Sequence, residues 1–455
     1  MNDIALPAGR RTTLAAGRLI RLLAFAAVCV LVAELIGTLS IPLGGKMQIV
    51  LMPLVWALIA GALWGLASKS LPDGLAAGTS MQHLSAAILQ PALLIFIAKL
   101  GLLVGGNLPT IMASGWALVF QEFGHFFGTM LLGLPVALLL GIKREAIGAT
   151  FSVGREPSLA IIGEKYGMDS PEGHGVLAEY VTGTVIGAVF IALFAGFVAS
   201  LGIFNPLALA MGAGVGSGSM MAAAAGAIAA QETEEVGKQV AAFAAAANLI
   251  TVTIGTYFTL FVSLPFTVWL YGKLEPVLGR GRGREAAAPA AHFSAKPSAA
   301  PEAVDGMRLP LPVLAGIWIF AGAVALFGNW YNYKAAPDAT VLTGLAVIVA
   351  VVAAGYGLYR LTGARLPAVL WVSLVAMVLT YPSLPFAAEV AAVTSKINFL
   401  ALATPVIAIA GLSIAKDVPV FRRLGWRIVV VSLLANAGTF LGATLIAQFF
   451  VHPHM

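Results

Sequence analysis

About eleven stretches of 18 or more apolar residues recur along this 455-residue chain, each long enough as a helix to cross a ~30 Å hydrocarbon core. A water-soluble domain has no interior large enough to bury so many. Composition agrees: 10% of residues are charged and 60% hydrophobic, with a mean hydropathy of +0.94, against roughly 25% and 45–50% in soluble proteins. The expected fold class is therefore an all-α membrane protein. Its spanning helices are read near 20–42, 48–68, 84–105, 111–141, 174–203, 240–272, 310–330, 339–361, 366–385, 391–414 and 428–451. The run after Arg10, Arg11, Arg18 and Arg21 is long, holds Glu34 and lacks a small-residue cleavage site, so it reads as a retained first helix rather than a signal peptide. The single cysteine, Cys29, permits neither an internal disulfide nor a metal cage.

Basic residues set the topology. With the arginine-rich N-terminus in the cytoplasm, Lys69, Lys143, Arg144, Lys273, Arg280, Arg282, Arg284, Arg360, Arg365, Lys416, Arg422, Arg423 and Arg427 all fall inside. Lys46, Lys238 and Lys334 are isolated exceptions. The positive-inside rule thus orients an inner-membrane-type multi-pass chain with its N-terminus in the cytoplasm and its C-terminus outside. The excess of 26 Lys and Arg over 20 Asp and Glu is a topology signal, not a nucleic-acid footprint.

Two apolar segments, 145–166 and 205–230, are broken by Gly, Ser and Pro. As re-entrant hairpins, each arm of about ten residues rises ~15 Å, to mid-membrane. Such backbone is tolerated only where protein or a cavity surrounds it. Internal repeats favour hairpins over kinked spans. GLLVGGNLPTIMASGW, from Gly101 to Trp116, matches GLSIAKDVPVFRRLGW, from Gly411 to Trp426, at an offset of 310. The match aligns Leu102 with Leu412, Pro109 with Pro419, Gly115 with Gly425, and Gly128-Thr129 with Gly438-Thr439. A second offset of 64 aligns Gly148-Ala149 with Gly212-Ala213 and Gly154 with Gly218. Both pairs are inverted if the hairpins enter from opposite faces, the arrangement of many secondary transporters. The chain then divides into a first scaffold unit (1–141), a transport core with two hairpins (142–273), a cytoplasmic linker (274–308) rich in Pro, Ala, Gly and Arg, and a second scaffold unit (309–455).

The order of hairpin, helix, hairpin, helix, carried by GATFSVGREPSLAIIGEKYG, NPLALAMGAGVGSGSM and the two GL…P…GW segments, resembles bacterial lysine exporters. It is more distantly similar to glutamate:sodium and citrate:sodium symporters. The chain as a whole resembles a family of bacterial polytopic membrane proteins of unassigned substrate. The resemblance implies elevator-type secondary transport, with a core sliding against a dimeric scaffold. The exporters' acidic position in the second hairpin falls in GSGSMMA, which has no carboxylate. Their acidic position after the first hairpin falls near Thr184, with Glu179 offset. Both departures argue against a lysine-like cationic substrate.

Ionisable groups inside a membrane are costly and are functional candidates by default. At the first break, Arg155 and free N–H groups of the half-helix N-termini are expected to hold a substrate carboxylate, with Glu156 beside Arg155 in the substrate site. Ser152, Gly154 and Ser158, and Ser217, Gly218 and Ser219 at the second break, are expected to meet the substrate or Na⁺. Glu122 and His125, on one face of a helix, Glu179, and Asn248 with its neighbour Thr251 are candidates for ion coupling. Lys99 and Glu34 read as buried pairs or snorkelling groups, and His452 and His454 as solvated. GAGVGSG lacks the strand–turn–helix context of a dinucleotide loop. The expectation is an ion-coupled secondary transporter of a small amino-acid-like or carboxylate-bearing solute, not an enzyme. It needs no cofactor beyond Na⁺ or H⁺ as coupling ion, and its partners are the lipid bilayer, the solute and a second copy as a homodimer. A channel or structural membrane protein is the alternative, and an intramembrane enzyme a more distant one.

Overall fold

A computed structural model describes residues 8–44, 47–68, 70–72, 74–113, 116–167, 170–253, 255–279, 309–363, 368–418 and 425–451. The expectations at Lys46, Lys69, Gly115, Pro419, Arg365, Arg422, Arg423, the tail histidines and the linker from 280 to 308 lie outside the described residues. The chain is, over the described residues, an all-α membrane protein apart from one small ribbon. Among the described residues, seven helices are long and apolar enough to cross a membrane, or eight if one bent pair counts as a span. The remaining expected spans correspond to helices that are shorter or broken.

α1 (Ala8–Ile36) stops where Gly37 turns to φ 72°. Leu39–Gly44 and Met47–Leu51 then pair as the two-stranded antiparallel ribbon β1–β2. The ribbon shortens both helices expected around it: Ile41, Ile49 and Val50 favour extended backbone, and Pro42 has no N–H to give a helix. α2 (Pro53–Ala67) then begins on a proline, whose missing N–H is an orphan of the first turn in any case. α3 (Thr79–Gly106), α4 (Leu108–Ala113) and α5 (Ala117–Leu139) follow. The first broken segment is α6 (Glu145–Thr150) and α7 (Arg155–Lys165). α8 (Pro171–Thr182) runs through a π-helical turn at Gly183–Gly187 into α9 (Ala188–Ser200). The second broken segment is α10 (Pro206–Ala213) and α11 (Gly218–Ala229). α12 (Glu234–Thr253), α13 (Gly255–Phe258), a second π-helical turn at Thr259–Ser263 and α14 (Leu264–Leu278) complete this half.

The second half is α15 (Leu311–Tyr331), α16 (Ala339–Leu361), α17 (Ala368–Leu379), α18 (Ala387–Ser395), α19 (Phe399–Ile414) and α20 (Trp426–Phe450). The single helix expected over 391–414 is instead α18 and α19, bent by 62°. Polar side chains hold the bend. Lys99 Nζ donates to Thr394 O at 2.7 Å, Asn329 Nδ2 to Lys396 O at 3.0 Å, and Asn398 caps α19 by accepting from Leu400 N at 2.9 Å. Lys99 is 2% exposed, so it does not snorkel; it closes a helix C-terminus, where a cation is favoured. Glu34 is equally buried and accepts from Asn332 Nδ2 at 2.6 Å, tying α1 to the loop after α15.

The matched copies at offset 310 touch each other. Gly124 faces Gly442, Gly128 faces Gly438, and the Thr129 and Thr439 hydroxyls are hydrogen-bonded. Residue numbers on α5 rise as those on α20 fall, so the two helices cross antiparallel with equivalent residues at the crossing. The shorter helices are interlocked. α2 precedes the first copy but lies along α19, with Gly411 against Leu58. α17 precedes the second copy but lies along α3, with Gly101 against Ser373 and Ala376.

Candidate functional site

The two breaks come together on α20. Val153 from the first and Val215 from the second form one buried cluster with Ala435 and Ala443, one turn either side of the Thr439 contact. The directions of the elements follow from paired contacts. Arg144 forms an ion pair with Glu172, Gly148 lies against Glu172 and Val176, and Gly175 lies against Glu145 and Ala149. α6 and α8 therefore start at the same level and run in the same sense. Asn205 N donates to Gln448 Oε1 at 2.8 Å and Gly212 lies against Phe440 and Thr444, so α10 runs against α20. Gly187 meets Met220, Gly196 meets Ala227, and Gln231 Nε2 donates to Gly196 O at 2.9 Å, so α9 and α11 run in the same sense. Helices α5 and α20 pack against both broken segments, so contacts group them with the residues expected as the core rather than apart from it.

At the first break, Gly154 is the N-cap of α7 and supplies no side-chain cap, leaving the first N–H groups of α7 without one. Ser152 Oγ accepts from Gly154 N at 2.9 Å. Ser158 is buried beside Gly154, and its hydroxyl has no hydrogen-bond partner. The side chains of Arg155 and Glu156 lie outside those described. At the second break, Gly216 adopts φ 91°, a conformation that only glycine takes without strain. Ser217 caps α11 by accepting from Met220 N at 3.3 Å, and its hydroxyl lies 3.0 Å from that of Ser219.

Asn248, from α12, donates to Gly214 O at 2.7 Å and Gly216 O at 3.2 Å, satisfying carbonyls at the break that follows α10. One turn on, Thr251 donates to Glu122 on α5. Glu122 also accepts from Gln121 Nε2 at 2.7 Å, and its Oε2 lies 3.7 Å from His125 Nδ1. Glu179 is buried in α8, where it accepts from Asn436 Nδ2 of α20 at 3.4 Å, immediately before the π-helical turn. Single π turns inside α-helices frequently sit at functional sites, and here each helix that follows a broken segment carries one. Thr184, within that turn, donates to Tyr180 O at 2.7 Å.

The fold therefore brings Ser152, Gly154, Ser158, Gly218, Ser219 and Ser217 to the two breaks, and Asn248 onto the second. It places Glu122 and His125 on the far side of Thr251 from that break. Sequence reasoning missed Gln121 and Asn436, because a lone amide on an apolar helix gives no signal until its partner's position is known. At the start of the core, Glu172 holds the Arg144 guanidinium above its ordinary pKa by a direct hydrogen bond. No group of three or more His, Cys, Asp or Glu among the described residues is placed to hold a metal ion.

A family model described as a protein of unknown function (DUF3100) matches residues 31–273, just over half of the chain and including both broken segments. No curated protein and no solved structure matches.

Proposed function

The chain belongs to the DUF3100 family, and from that premise we propose that it is an ion-coupled secondary transporter whose two broken segments are re-entrant hairpins meeting at mid-membrane. The observation that carries this reading is the junction of Val153 and Val215 on α20, beside the crossing of two matched helices. α6 and α8 start level, so the chain between them must rise and return. α6 folds back along α5, with Gly133 against Thr150, whereas α10 runs against α20 and so with α5. α10 is therefore opposed to α6, while α11 runs with α9, so the second segment also reverses, from the other face. Inverted repeats with half-helix ends at the midplane suit alternating access around one site. Such backbone is stable in a membrane only where protein surrounds it, and both breaks are largely buried.

The solute is a small amino-acid-like or carboxylate-bearing molecule. The uncapped N-terminus of α7 and the Ser158 hydroxyl offer donors to an anion, and Arg155 at that terminus adds a bidentate charge partner. Glu179 and Asn248 couple ion binding to the helices that follow the hairpins, together with Glu122 and His125. The moving unit includes α5 and α20 along with 142–273, because these helices carry the junction. It slides against the interlocked α2–α19 and α3–α17 pairs as an elevator, in a homodimer in the bacterial inner membrane.

A thermal-shift screen of amino acids, dipeptides and small carboxylates, with and without Na⁺, identifies the solute. Counterflow in proteoliposomes then tests the reading. Obligatory exchange of labelled for unlabelled solute is the expected result. Solute movement without exchange marks a channel instead, and no movement of any stabilising solute removes the transport reading.

A further inference from the structure

Four buried polar atoms without a hydrogen-bond partner lie on little more than one turn of α5: Gln121 Oε1, Glu122 Oε2 and both ring nitrogens of His125. Glu122 is 4% and His125 1% exposed. The donors that reach Glu122, from Gln121 and Thr251, both go to Oε1. Oε2 has no hydrogen-bond partner; it lies against Gly255 and 3.7 Å from His125 Nδ1, nearly 1 Å beyond an ordinary hydrogen bond. A carboxylate held this way lacks a counter-charge, and a buried charge must be paired or neutralised.

Among the described side chains, no other titratable group reaches this turn. α20 carries Arg427 at its start, and α6 carries Glu145 at its start. α12 carries Glu234, Glu235 and Lys238 in its first two turns, and α14 carries Tyr271, Lys273 and Glu275 in its last turns. α10 carries none.

We propose that Glu122 and His125 together form a binding site for one proton, and that this proton is the coupling ion. The second clause rests on the transport reading; the binding site does not. An alkali cation needs a shell of oxygen ligands; among the described side chains the unpartnered atoms here are two oxygens and two imidazole nitrogens, and imidazole suits a proton. Aromatic rings flank the pair. Phe126 stacks on His125 at 4.3 Å between centroids, and Phe258 stacks on Phe126 at 4.8 Å and meets Phe123 edge-on at 4.7 Å.

Without the proton, the pair is a carboxylate and a neutral imidazole, with a net charge of −1. It takes one H⁺ from water on one side and becomes neutral, with the proton shared along the Oε2–Nδ1 line as that gap closes. Release returns the same H⁺ to water on the other side, and no other bond is made or broken. The site is tied to the solute position through one face of α12. Thr251 holds Glu122, and Asn248, three residues earlier, holds the carbonyls of Gly214 and Gly216 at the second break.

The test is infrared difference spectroscopy of the full chain in lipid nanodiscs, acid minus alkaline, with the proton itself as probe. The expected wild-type signal is the C=O stretch of one buried protonated carboxyl, lost in Glu122→Gln. It persists at a shifted frequency in His125→Gln, which keeps the carboxyl but changes its neighbour. Replacing N-methylglucamine by Na⁺ leaves it unchanged. A signal identical in both variants, or one that Na⁺ suppresses by competition, overturns the proposal. Because no solute is needed, the two readings fail separately. The stated spectra without counterflow of any solute leave the proton site and remove the transport reading. Counterflow with spectra indifferent to Glu122→Gln does the reverse.

Discussion

Replacing Gly128 by alanine puts a methyl group into the backbone of the facing helix. An added Cβ at Gly128 overlaps Gly438 O, and one at Gly438 overlaps Gly128 O. Ordinary contact at such a site begins near 3.4 Å, so α5 and α20 must separate by roughly 1 Å or one of them must bend. Overpacking of this kind costs about 1–3 kcal/mol. Separation also weakens the buried bond between Thr129 and Thr439 at the same level, worth about 1 kcal/mol. Alanine's better helix propensity returns about 0.5–1 kcal/mol. The net expectation is a loss of about 1–3.5 kcal/mol. Gly316→Ala on α15 is the control, since nothing lies within 4 Å of its added Cβ. Reversible unfolding in mixed micelles measures each variant. Gly438→Ala should cost about as much as Gly128→Ala, because the two residues are equivalent across the crossing. The double variant should cost less than their sum, because one separation relieves both clashes. If Gly128→Ala is as harmless as Gly316→Ala, the reasoning about the crossing is wrong.

Asn248→Ala removes two bonds to the carbonyls of the second break and should cost about 1–3 kcal/mol; unfolding in the same micelles checks it. Arg144→Gln leaves the buried Glu172 carboxylate without its partner and should lower the melting temperature, and adding Glu172→Gln should recover part of the loss. At the first break, Arg155→Lys should weaken solute binding by losing bidentate geometry while keeping some exchange, and Arg155→Gln should nearly abolish it. Unaltered affinity in a folded Arg155→Gln protein would make Arg155 structural.

Much of the architecture was legible because a repeated pattern survives in the sequence. The alignment of Gly128-Thr129 with Gly438-Thr439 named the residues that turn out to touch, though not that they touch each other. The Gly and Ser breaks at 151–154 and 214–217 were legible for the same reason, as local chemistry that interrupts a helix. The ribbon at 39–51 was hidden, because its Ile and Val residues are equally at home in a spanning helix; only Pro42 and the glycine pair beyond it hinted otherwise. The bend at 396–398 was also hidden, since it depends on Lys99 and Asn329 arriving from distant helices. Glu122 and His125 stood out as charged groups in an apolar run, but their link through Thr251 and Asn248 to the second break needed the packing of α12 against α5.

Site-directed labelling of the hairpin ends tests the central claim most directly. Ser170 precedes α8 at the level of the Arg144–Glu172 pair, and Ala230 ends α11 beside Gln231. Single cysteines at the two positions, in a Cys29→Ala background, should react with a membrane-impermeant maleimide from opposite faces, Ser170 from the cytoplasm and Ala230 from outside. Labelling of both from the same face would contradict the opposed hairpins and, with them, the inverted architecture on which the transport reading stands.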